Sequence, residues 1–231
     1  MLKNTQINRI ATKKVAKALG ALNQDVVYVG GAVVSLYIDD PSAEDVRPTK
    51  DIDISMEIAN VGELEAVREK LNSKGFYQSA EDDVICRFRY EDIKVDVMST
   101  KAVGWAPANP WFAPGYKNLV KFEIDDLTIN CLSLPYFLAT KFAAFYDRGG
   151  RDPRASKDFE DIVYLLNYTK HLKEEILSSD KEVKAYLIDC FNDILTDSMK
   201  QEAITCNLYY EDQDYRFKKI TENLNQICHG I

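Results

Sequence analysis

Histidine is nearly absent: His171 and His229 are the only two in 231 residues, and both stand outside every recognisable motif. Imidazole acid–base or metal chemistry therefore has little to work with, and both read as surface residues. The cysteines Cys86, Cys131, Cys190, Cys206 and Cys228 are scattered without a CxxC. That excludes a zinc ribbon or a dithiol redox motif, and they read as buried free thiols of a reduced, cytoplasmic protein. GxSxG, Walker A and HExxH sequences are also missing, so serine hydrolase, P-loop and zinc peptidase chemistry have no support. No apolar run approaches the roughly 20 residues of a membrane span. Residues 1–6 lead into a polar amphipathic helix rather than a signal-peptide core, so no membrane partner is expected. Positive charge is in deficit. A net charge of −8 argues against a broad basic nucleic-acid platform and leaves room only for a local patch.

What is present is an α+β pattern. Hydrophobic residues make up 46% and charged residues 29% of the chain, enough for one large domain or two small ones. Residues 5–22 have helical spacing, with Ile7, Ile10, Ala11, Val15, Ala18, Leu19 and Leu22 as the expected buried face and lysines opposite. The β-branched run Val26–Val29 suits a buried strand, followed by Gly30-Gly31 and a short apolar helix over 32–37. After a polar loop at 39–45 come a strand at Asp51–Met56 and a helix at Val61–Ser73, stopped by Gly75. Segments 84–90 and 93–98 read as a hairpin around Glu91-Asp92, and 120–124 with 127–131 as another around Asp125-Asp126. Between them, 101–118 is an ordered loop. Its Trp105, Trp111, Phe112 and Tyr116 either pack the loop or wall a base or acceptor. From Pro135 onward the pattern is helical, over 135–147, 154–167, and around 180–195 and 213–228. The expected division is an α/β core at 1–133 and a helical domain at 134–231.

Chemistry concentrates at Asp51 and Asp53. Residues i and i+2 of a strand project from one face, so the two carboxylates sit side by side among isoleucines, which is unfavourable unless a cation joins them. Gly30-Gly31 directly follows a strand, where glycines let a phosphate approach the backbone amides. Asp96 faces away from the apolar residues of its hairpin arm, together with Lys94 and Met98. Three such carboxylates can hold two divalent ions, and Mg²⁺ suits an all-oxygen site that also takes phosphate. Arg148, Arg151, Arg154 and Lys157 recur every third residue, as a phosphate or RNA contact or as an ion-paired turn.

Taken in order, Gly30-Gly31, Arg47-x-Thr49, Asp51-x-Asp53 and Asp96 resemble the polymerase-β-like nucleotidyltransferase superfamily. Lys141-x-x-Ala144-x-x-x-Arg148 and Lys157-Asp158-x-x-Asp161-Ile162 look like its AbiEii/MenT branch of bacterial toxin components and their relatives. The resemblance spans roughly residues 26–166. It implies a mixed sheet with flanking helices, followed by a helical half that completes the nucleotide site. Gly30 and Gly31 would hold the β,γ-phosphates of a nucleoside triphosphate, with Thr49 and Arg148 also on the nucleotide. Asp51 and Asp53 would bind two Mg²⁺ ions. Asp96 would complete the catalytic metal site and favour deprotonation of the attacking hydroxyl. Lys141 would contact the triphosphate, and Asp158 or Asp161 would support the nucleotide or orient that lysine. Gly31 departs from the Gly-Ser of many members, removing a hydroxyl.

The expected reaction is transfer of a nucleoside monophosphate from a nucleoside triphosphate to a hydroxyl, releasing pyrophosphate. An RNA acceptor, such as a tRNA end, is favoured over a protein or a small cationic molecule. A toxin-like role implies an antitoxin protein as partner. The alternative is a nucleotide- or partner-binding module that kept the fold without transfer.

Overall fold

A computed structural model describes residues 2–148 and 152–230. They divide into two compact units, Met1–Leu36 with Glu44–Ser133, and Tyr37–Ala43 with Leu134–Ile231.

The first unit is built on a six-stranded mixed sheet. Its strands are β1 (Val26–Val29), β2 (Asp51–Met56), β3 (Arg87–Tyr90), β4 (Ile93–Ser99), β5 (Leu119–Ile124) and β6 (Leu127–Leu132). The spatial order is β3-β4-β2-β1-β6-β5. β2 therefore lies inside the sheet, antiparallel to β1 and parallel to β4. Its alternation buries Ile52 and Ile54 and leaves Asp51 and Asp53 partly open on the other face. Helix α1 (Lys3–Leu19) precedes β1, and α2 (Val61–Ser73) follows β2 with Leu64, Val67 and Leu71 buried. Asn60 caps α2 by accepting from the Glu63 amide, while Glu63 accepts from the amide of Ala59, one residue ahead of the cap. Within 101–118 a single turn, α3 (Phe112–Gly115), forms with Phe112 buried, and Trp105 packs back on Phe88 of β3.

Four local expectations need correction. The buried face of α1 is Asn8, Thr12, Val15, Ala16 and Leu19, while Ile7 and Ile10 are half exposed or more. Asn8 turns inward because its carboxamide oxygen accepts from the Thr49 hydroxyl at 2.8 Å. The segment after the glycines is a 3-10 turn, Gly31–Tyr37, rather than an α-helix. β3 starts only at Arg87, since residues 84–86 form a turn with Ile85 exposed. Cys206 is exposed, whereas Cys86, Cys131 and Cys190 are buried; all five thiols are free.

The second unit is helical: α4 (Leu134–Asp147), α5 (Lys157–Tyr168), α6 (Leu172–Ser178), α7 (Lys181–Thr196), α8 (Ser198–Cys206) and α9 (Gln213–His229). Aromatic contacts seat α4 on its neighbours. Phe145 meets Phe159 of α5 at 5.2 Å between ring centroids, and Phe142 meets Phe191 of α7 at 5.9 Å. α5 begins at Lys157 rather than Arg154 because Ser156 caps it, accepting from the Phe159 amide. Residues 37–43 are strapped to this unit. Tyr37 stacks on Phe137 at 4.3 Å, the Asp39 and Asp40 amides donate to the Tyr168 carbonyl, and the Asp40 carboxylate faces Arg216 and Lys219. Among the described residues, no helix is long and apolar enough to cross a membrane.

Candidate nucleotide site

Gly30 follows β1 with φ +73°, a conformation that side chains rarely adopt. A Cβ there would lie 1.8 Å from the Asp53 Oδ2 and 2.7 Å from its Cβ. The carboxylate of Asp53 thus occupies the volume a side chain at 30 would need, and β1–β2 pairing, which sets Val29 opposite Asp53, places it there. At Gly31 a Cβ would meet the Arg47 guanidinium at 2.4 Å and the Thr49 methyl at 2.7 Å. Gly30 is therefore a steric requirement of the carboxylate strand, and Gly31 leaves room for the Arg47 and Thr49 side chains of the loop leading into it. The Thr49 proton is committed to Asn8, so its hydroxyl is left as an acceptor.

The three carboxylates share one sheet face. In the parallel β2–β4 register Asp53 stands opposite Asp96, and Asp51 opposite Lys94. Arg87 of β3 reaches into this group. Its Nε and Nη2 each donate to Asp96 at 2.7 Å, and Nη2 also donates to Asp51 at 3.1 Å. The hydrogen bonds it donates to Asp96 raise the guanidinium pKa further, so it is permanently charged. The neighbouring Cys86 thiol is pushed up to about 11 by burial, with Asp96 and Asp53 adding to it, which leaves a protonated, unreactive thiol. Among the described residues, no group of three histidine, cysteine or acidic side chains is arranged to hold a metal ion. The donor set nevertheless fits Mg²⁺: it is all oxygen, and two of its members already share a cation, the guanidinium.

Arg87 was not singled out from the sequence, although a signal existed. A two-residue turn at 91–92 pairs Tyr90 with Ile93, and counting back three residues on each arm pairs Arg87 with Asp96. Asn8 was also missed, because polar residues are discounted when an apolar helix face is drawn.

In the helical unit the motif residues form two pairs. Lys141 of α4 donates to Asp161 of α5 at 2.6 Å, and both side chains are at most 5% exposed. Arg148 pairs with Asp158, whose carboxylate is buried while the guanidinium is mostly open. Of the two acids, Asp161 is the one that touches the lysine. Arg154 pairs with Asp152 and Glu202, and Lys157 is exposed; Arg151 lies outside the described residues. Trp105 packs on Phe88 of β3, lies under the Arg68 guanidinium and donates its indole N–H to Glu65, both of α2, so it fastens the loop to those two elements.

Comparison with known proteins adds two findings. The family model described as nucleotidyl transferase AbiEii toxin, of a type IV toxin–antitoxin system, matches residues 17–224. A solved structure, an antigenic nucleotidyltransferase-like protein from Paracoccidioides brasiliensis, superposes with a TM-score of 0.50 at 17% identity, covering 90% of this chain and 96% of that one. The second likeness is one of fold. No curated protein sequence matches.

Proposed function

The chain belongs to the AbiEii family of nucleotidyl transferases, and from that premise we propose a Mg²⁺-dependent transfer of a nucleoside monophosphate to a hydroxyl, RNA-borne and such as a tRNA end. The observation that carries the reading is the single sheet face on which Asp51, Asp53 and Asp96 stand, with Asp53 pressed against Gly30 at the end of β1.

In this reading the acceptor oxygen attacks the α-phosphorus, a new P–O bond forms, and the bond to the β-bridging oxygen breaks. Pyrophosphate leaves with that electron pair. The carboxylate of Asp96 favours departure of the hydroxyl proton as attack begins. Asp51, Asp53 and Asp96 would hold the divalent ions, which supply charge neutralisation at the phosphoryl oxygens. The amides at Gly30 and Gly31 position the β,γ-phosphates, with Thr49 bracing the loop beside them. Lys141, oriented by Asp161, is assigned to the triphosphate, and Arg148 with Asp158 to nucleotide support. Positioning and electrostatics provide most of the acceleration in such a reaction. An antitoxin protein is the partner this reading calls for.

The test is labelling. Purified protein with each labelled nucleoside triphosphate, Mg²⁺ and total RNA should give a labelled RNA. Asp51→Ala and Asp53→Ala should lower the yield by about a thousandfold or more. Label retained by both variants would sink the proposal, and triphosphate binding without transfer to any acceptor would favour a non-catalytic module.

A further inference from the structure

Nothing in the reaction above uses Arg87. We propose that Arg87 is a positioning residue for the metal carboxylates: its guanidinium holds Asp51 and Asp96 until a divalent ion displaces it, so ion and arginine compete for one seat. This inference rests on the metal reading of the same site.

Three observations carry it. The guanidinium uses its planar fork on Asp96 and extends Nη2 to Asp51, so one cation already bridges two of the three proposed ligands. Arg87 and Asp96 are mostly covered, at 15% and 14% exposure, where an unneutralised carboxylate is unfavourable, while Asp51 is partly open at 34%. Finally, Arg89 and Lys94, the bases next to it on β3 and β4, are both drawn to the buried carboxylate of Asp82.

Competition follows from charge: a guanidinium and a divalent ion on the same carboxylate oxygens repel each other at close range. An octahedral Mg²⁺ needs carboxylate oxygens at about 2.0–2.1 Å. Those of Asp96 accept N–H donors at 2.7 Å instead. An arginine cannot be released by losing its proton at any working pH, so only a stronger cation on the same oxygens can dislodge it. A purely structural ion pair predicts something different: loss of Arg87 would lower stability and leave metal affinity where it was.

The experiment is calorimetric titration of Mn²⁺ into the nucleotide-free wild type, Arg87→Met and Arg87→Lys, with thermal melts of each across the same Mn²⁺ series. Arg87→Met should bind Mn²⁺ about tenfold more tightly than wild type. It should melt lower without metal and regain the difference as Mn²⁺ is added. Arg87→Lys, which keeps the charge but not the fork, should fall between them. Equal Mn²⁺ affinity in wild type and both variants overturns the role of Arg87 and leaves the metal reading standing. Absence of Mn²⁺ binding in all three overturns the metal reading and this inference with it. Should Arg87→Met fail to fold, Arg87→Lys decides: wild-type affinity in that variant overturns the proposal.

Discussion

Gly30 and Gly31 look equivalent in the sequence and are not. At Gly30 the obstacle is the Asp53 carboxylate together with its own Cβ, and φ is +73°. At Gly31 the backbone is not left-handed and the obstacles are two side-chain ends, the Arg47 guanidinium and the Thr49 methyl, rather than a Cβ. Gly30→Ala should therefore cost about 1–2 kcal/mol for the left-handed backbone alone. It should also displace Asp53 and lower transfer by roughly a hundredfold, the effect of a misplacement near 1 Å. Gly31→Ala should be distinctly milder in both urea unfolding and labelling. The acidic pair and the glycines were legible because strand alternation and turn chemistry are local rules. Arg87 and Asn8 were not singled out because their importance comes from partners across a hairpin and across the chain, 9 and 41 residues away.

Among the elements, α4 and α5 are joined by a buried charge pair as well as by aromatic rings. Removing one member leaves the other charged in an apolar setting, so Asp161→Asn or Lys141→Met should each destabilise by about 3–5 kcal/mol. The double variant Lys141→Met with Asp161→Asn should lose clearly less than the sum, as read by urea denaturation of the set. Additive losses would show that the two groups are not coupled. The existence of these helices followed from their periodicity, and their exact starts followed from caps such as Ser156. α1 misled the periodicity reading for a physical reason. Its N-terminal turn is drawn inward by Asn8 and tied by the Asp45 carboxylate, which accepts from the Asn4 and Thr5 amides. Ile7 and Ile10 are rotated outward as a result.

For the whole molecule, the acid limb of stability is set by carboxylates in both units. The Asp40 pKa is lowered by the Ser42 amide, which outweighs burial. Burial opposes ionisation of Asp45, yet the hydrogen bonds from Asn4 and Thr5 bring its pKa below the ordinary 3.8. Asp126, hydrogen-bonded by Lys13, falls to about 2. Groups with depressed values stabilise the fold fully above their ordinary range, and that stabilisation is lost as pH falls through the folded values. The melting temperature should hold down to about pH 4 and then drop steeply toward about pH 2. Asp45→Asn should start lower at neutral pH and show a shallower acid limb. At this scale the sheet-then-helices plan was readable from the change in period at Pro135. The return of residues 37–43 to the helical unit was not, since a polar loop carries no signal of what it will pack against.

The tips of the two hairpins are held by one helix: Lys14 faces Glu91 and Asp92, while Lys13 faces Asp125 and Asp126. These contacts span 78 and 112 residues of chain. During synthesis, at roughly 5–20 residues per second, α1 would wait about 4–16 s for its first acidic partners and about 6–22 s for the second. Ribosome-bound chains arrested far enough past β4 for that hairpin to have emerged should therefore already protect α1 from protease on one side, and those with β6 emerged on both. The order in which the ribosome delivers the acids sets the order in which the sheet closes over its first helix.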